Sequence, residues 1–127
     1  MNEYPDNSNC IYRALNPRMA FEKPDGSISS AAFKDKKGLS VEQQMERTDT
    51  DVAKHMMLYL NGNIAKIRRI ICDERDIIVQ PNPLNGNEFH CLLLNSNRTN
   101  DENLSLTNSQ AKYLAQHIDT IIKTNPT

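Results

Sequence analysis

The chain has 127 residues and a formal net charge of −1, which fits one domain of ordinary size with one modest core. So balanced a charge gives no basic field for non-specific nucleic-acid binding and no polybasic signal for a membrane surface. Three cysteines, Cys10, Cys72 and Cys91, lie far apart and form no CxxC, which argues against a disulfide framework and against a structural zinc site.

Residues 1–9 are polar, with Pro5, Asn7 and Asn9, and read as a flexible tail ahead of a single domain over 10–127. The opening has neither a basic n-region nor an apolar stretch, so it does not read as a secretory signal. No apolar run approaches bilayer-spanning length, and the expected setting is the cytoplasm. Cys10 to Leu15 predicts a first strand. Asn16-Pro17 ends it, because Pro17 lacks a donor and biases Asn16 away from helix. Pro24-Asp25-Gly26-Ser27 predicts a turn: Pro presets φ, Asp bonds its own backbone and Gly accepts φ > 0. Ile28 to Phe33 is expected to be a short strand or extended segment. Lys34 to Gly38 then forms a solvated tip, and Leu39-Ser40-Val41 pairs back. Residues 42–48 are polar and indecisive.

From Asp49 the pattern turns helical, with Val52, Met56, Tyr59 and Leu60 on one stripe. Asp49 or Thr50 can cap this helix and Asn61-Gly62 can stop it. Asn63 to Ile67 predicts a strand, Arg68 to Glu74 a helical turn, and Asp76 to Gln80 a strand. Residues 81–87, rich in Pro, Asn and Gly, predict a loop. Glu88 to Leu94 predicts a strand that is apolar on both faces and so interior to its sheet. Thr107 and Gln110 have the spacing of a capping box. Ala111, Leu114, Ala115, Ile118, Ile121 and Ile122 then make the apolar stripe of a last helix that Pro126 closes. The expected class is α+β: a small, mostly antiparallel sheet with two main helices packed on one face.

Four residues are candidates for a site. His90, the catalytic candidate, lies two residues into a strand behind a loop, an accessible strand end where a base can sit. The alternative is a half-buried histidine satisfied by its neighbours. Arg13 shares a strand face with Ile11 and Leu15. A buried arginine there needs an anionic partner, which a protein carboxylate or a bound phosphate can supply. Ser29 and Ser30 are candidate ligand contacts or backbone-bonded hydroxyls, and no GxSxG elbow makes either a nucleophile. His55 and His117 have no acidic or histidine partner at i+4 and no HExxH occurs, so no metal is expected. No pattern points to a cofactor. Asp73 to Asp76 and Lys34 to Lys37 read as solvated turns. Cys91 beside His90 is not a dyad, because adjacent strand residues point to opposite faces.

Tyr12-Arg13, the block Ser29-Ser30-Ala31-Ala32-Phe33, the step Leu39-Ser40-Val41 and the Pro-rich lead to His90 together resemble a group of small uncharacterised bacterial proteins. That resemblance covers residues 10–94 and implies no particular activity. The same opening is remotely similar to ADP-ribosyltransferase-like, NAD-binding folds. It implies Arg13 as the NAD-contacting arginine and Ser29 or Ser30 as the serine of the second strand. Neither Glu88 nor Glu102 matches the catalytic glutamate of those enzymes. Two functions stay open at this point. One is a small cytosolic accessory or interaction domain that meets protein partners within a larger bacterial complex or operon-encoded system. The other is a compact nucleotide- or anion-binding enzyme domain using Arg13, Ser29, Ser30 and His90. No residue set spells a reaction, so whether the chain is an enzyme is open too. The discriminator is spatial: whether those four residues line one concave pocket.

Overall fold

The computed structural model describes residues 9–99 and 102–124. Six strands form one antiparallel sheet: β1 Cys10–Leu15, β2 Leu39–Gln43, β3 Asn63–Arg68, β4 Ile77–Pro81, β5 His90–Asn95 and β6 Thr120–Ile122. Their order across the sheet is β4-β5-β2-β1-β3-β6. Three helices accompany them: α1 Asp49–Met56, α2 Arg69–Asp73 and α3 Asn108–Gln116. The expected α+β class and the antiparallel sheet are both present. Of the expected tail, 1–8 lie outside the described residues, as does Pro126. Asn9 is described, and its carbonyl accepts from Arg69 N at 2.9 Å.

Strand alternation sorts the core into two layers. Ile11, Leu15, Ala65, Ile67, Val41 and Leu93 point to one side, where Ile71 and Cys72 of α2 and Ala111 and Leu114 of α3 cover them. Cys10, Tyr12 and Ile64 point to the other side, beneath Val52 and Met56 of α1. Two helices do share a face, but they are α2 and α3. The expectation that placed α1 beside the last helix is corrected, and the reason lies in β1 and β3. Both bury side chains on both sides, Ile11, Leu15, Ala65 and Ile67 on one and Cys10, Tyr12 and Ile64 on the other, and strands of that kind must be covered twice. At the start of α1, Asp49 ties the helix to the sheet. Its carboxylate accepts from Tyr12 Oη at 2.8 Å and from Lys66 Nζ at 3.1 Å.

Local chemistry accounts for the other departures. Residues 28–33 are not a strand. Ser29 Oγ accepts from Ala31 N at 3.1 Å and caps a 3₁₀ turn over Ser30–Phe33. This is the local side-chain bond by which serine competes with a ladder. Ala32 and Phe33 are buried beneath α3. Leu39-Ser40-Val41 therefore pairs with β5, not with 28–33. Thr48, not Asp49 or Thr50, caps α1 by accepting from Asp51 N. The Thr107–Gln110 capping box is formed as expected, but α3 stops at Gln116. Ile121 and Ile122 then lie on β6, opposite Ala65 and Ile64 of β3. The open edge of β3 and the β-branched run override the helical spacing. α1 stops at Met56, short of the expected Asn61-Gly62, and Tyr59 and Leu60 lie beyond it. Gly62, just ahead of β3, has φ +104, and a Cβ there would collide with the Leu15 carbonyl, so glycine is required at that position.

Candidate functional site

The site begins with a gap in the sheet. β1 pairs with β3 along its whole length, from Cys10↔Arg68 to Leu15↔Asn63. With β2 it pairs only at Ile11↔Gln43 and Tyr12↔Glu42. Past Tyr12 the two strands part, and Arg13 spans the opening. Its Nε donates to Ala32 O at 2.9 Å and its Nη1 to Ser40 O at 3.1 Å. Arg13 thus supplies the Ser40 carbonyl with a donor on the side where β1 has moved away. Among the described residues no carboxylate forms an ion pair with Arg13. Burial pulls its pKa below the ordinary value, and the more distant charge of Asp35 only partly offsets this.

A cavity of about 850 Å³ opens at the gap. Arg13, Ala14 and Ser40 stand where the strands part, and Met19, Phe21 and Leu58 contribute apolar wall. Glu42, His55, Tyr59, Asn87 and His90 make a polar wall.

Glu42 is the centre of that wall and is only 2 % exposed. Taking a carboxylate out of water costs several kcal/mol unless donors surround it. Four side chains do so here. Arg47 Nη2 donates to Oε1 at 3.1 Å, and Tyr59 Oη donates to Oε2 at 2.6 Å. Asn87 Nδ2 donates to Oε2 at 3.1 Å, and His55 Nδ1 lies 3.2 and 3.1 Å from the two oxygens. Asn87 Nδ2 also donates to Tyr59 Oη at 2.6 Å, and its own carbonyl accepts from Phe89 N. Burial, then the bond to Glu42, hold the Tyr59 phenol well above its usual pKa. Phe89 supports the cluster from beneath: the Arg47 guanidinium lies 3.6 Å over its ring and His55 meets it edge-on.

A strained turn delivers Arg47. Met45 and Glu46 both have positive φ, 47° and 68°, and Arg47 N closes the turn on Gln44 O at 3.1 Å. Non-glycine residues pay a steric penalty in that region. The turn is held by side-chain bonds of Arg47 to Gln44 O and Gln43 O and of Gln44 to Arg47 O.

Of the residues singled out from sequence, Arg13 and His90 line this one cavity. Ser29 caps its own turn. Ser30 lines a second hollow beside α3, with Lys23 and Lys112, that shares no lining residue with the first. The gap therefore brings two of the four candidates together and leaves the serines apart. His90 Nδ1 is 2.8 Å from Asn82 O. His55 has its carboxylate partner, but 13 residues upstream rather than at i+4. Glu42, Arg47, Tyr59 and Asn87 were not visible as a set. The separations from Glu42 are 5, 17 and 45 residues, so no local motif forms. Nothing local in the sequence pairs Glu42 with the His90 strand, a register that only the sheet reveals.

Among the described residues no group of three or more His, Cys, Asp or Glu is arranged to hold a metal ion. None of their helices is long and apolar enough to cross a membrane. No protein-family model matches the chain, and neither a curated protein nor a solved structure matches it.

Proposed function

We propose that the chain is a small cytoplasmic binding domain whose cavity takes an anionic ligand with an apolar body, and that Arg13 holds the anion. The observation that carries this reading is the Arg13 guanidinium: half-buried at the cavity wall and bonded to two carbonyls, with no ion-pair contact to a carboxylate among the described residues and Asp35 acting only from a distance. A desolvated guanidinium favours an anionic partner, and its planar fork suits a phosphate or carboxylate. The three free, buried thiols are in keeping with a reducing compartment.

A second reading, the accessory domain of a larger bacterial assembly, is favoured by the cavity rim. Leu58 is 78 % exposed there, and Met19 and Leu84 are exposed beside it. In that case the anion is a carboxylate of a partner protein that enters the same cavity.

Calorimetric titration with dodecyl phosphate below its micellar range and with adenosine 5′-monophosphate tests the first reading, on the wild type and on Arg13→Ala. At least one should bind. Arg13→Ala should weaken it at least tenfold at a temperature where the variant is fully folded, although loss of the bonds to Ala32 O and Ser40 O lowers its melting temperature. Absence of Arg13-dependent binding of either compound sinks the small-anion reading and leaves the partner carboxylate.

A further inference from the structure

We infer that the cavity's ligand is a hydroxylated phosphate of the nucleoside monophosphate class, whose hydroxyl donors are received by the bare Nε2 atoms of His55 and His90. This rests on the anion-binding reading and specifies its ligand.

The argument is a count of hydrogens. An ionised carboxylate only accepts. Each neighbour of Glu42 must therefore donate, so the His55 Nδ1 that faces both its oxygens carries hydrogen. A backbone carbonyl likewise only accepts, so the His90 Nδ1 that faces Asn82 O carries hydrogen as well. In a neutral imidazole the other nitrogen is then a bare acceptor. The surrounding protein thus fixes the same tautomer in both rings, and both residues line the cavity. They are close neighbours, because Glu42 and His90 face one another across β2 and β5 while His55 sits on Glu42.

The anion contact lines the same cavity. Arg13 Nε and Nη1 are taken by Ala32 O and Ser40 O, which leaves Nη2 for a phosphate oxygen. The rest of such a ligand would share the cavity with the two acceptors. A sugar presents hydroxyl donors there, whereas an alkyl chain presents none. Leaving two desolvated acceptors unpaired is unfavourable, so the wall discriminates against a purely aliphatic phosphate. The apolar residues Met19, Phe21 and Leu58 are available to the base.

Two measurements test this. In mildly alkaline buffer, long-range ¹⁵N–¹H correlation on the wild type should show the Nδ1–H tautomer for His55 and for His90. An Nε2–H tautomer in either ring overturns the inference without any variant having to fold. In calorimetry, adenosine 5′-monophosphate should bind more tightly than dodecyl phosphate. His90→Phe should weaken the nucleotide about tenfold and leave dodecyl phosphate unchanged. If dodecyl phosphate binds through Arg13 with equal or greater affinity, or if His90→Phe weakens both alike, the inference falls while the anion-binding reading stands. If neither compound binds, both fall.

Discussion

His55 Nδ1 lies 3.1 and 3.2 Å from the two oxygens of Glu42, so one buried carboxylate orients one imidazole from below. The same carboxylate neutralises Arg47, whose Nη2 is 3.1 Å away. Glu42 therefore matters first to folding. Glu42→Ala strands Arg47 without its anion, and removing one partner of a buried pair costs about 3–5 kcal/mol. Urea denaturation should show that loss, and a midpoint within error of the wild type would mean that the cluster is solvated.

The turn carrying Arg47 is improvable. Glu46 has φ 68° and its side chain is exposed. Glu46→Gly should raise stability by about 0.5–1 kcal/mol, because glycine adopts that conformation without the Cβ clash. A lower urea midpoint would show that the turn is not under strain.

Leu114 of α3 is fully buried against the sheet, whereas Ile118, beyond the helix end, is only half-buried. Leu114→Ala should cost about 2–5 kcal/mol and Ile118→Ala distinctly less. Equal losses would contradict the helix ending at Gln116.

Burial pushes the Cys72 thiol up to about 12, with Asp73 adding to the effect, and burial pushes Cys91 up to about 11, both from an ordinary 9.0. The folded state then keeps protons that the unfolded state releases. This stabilisation is complete below pH 9.0 and is lost as pH rises from there toward about 12. Melting temperatures should fall progressively above pH 9.0, and Cys72→Ala should flatten the decline. A melting temperature independent of alkaline pH would refute it. In denaturant, thiol titration should find all three cysteines free.

Much of the fold could be read from local chemistry. β1 closes before Pro17, β3, α2 and β4 follow one another over 63–81, and the Thr107 and Gln110 side chains make their box. These depend on residues within a few positions of each other. The site did not. Arg13 was legible as a charge on an apolar strand face that needed a partner, and His90 as a polar group behind a loop. Glu42 was not, since it opens the polar stretch 42–48, in which no pattern stands out. Only when α1 and the 81–87 loop close over it do its donors converge. Ile121 and Ile122 misled for the same reason: their spacing suits a helix, but the vacancy beside β3 lies far away in sequence.

The two-pair seam between β1 and β2 also divides the sheet into two flanks of three strands. One flank is β4-β5-β2 and the other is β1-β3-β6, and the polypeptide crosses between them repeatedly, entering each before the other is finished. Neither flank is therefore a contiguous fragment that could be excised whole. With partners drawn from distant segments, such a topology is expected to fold slowly for its size. Nicking the chain between α1 and β3 would leave each piece holding strands of both flanks, so the hollow between them can form only when the two pieces reassociate.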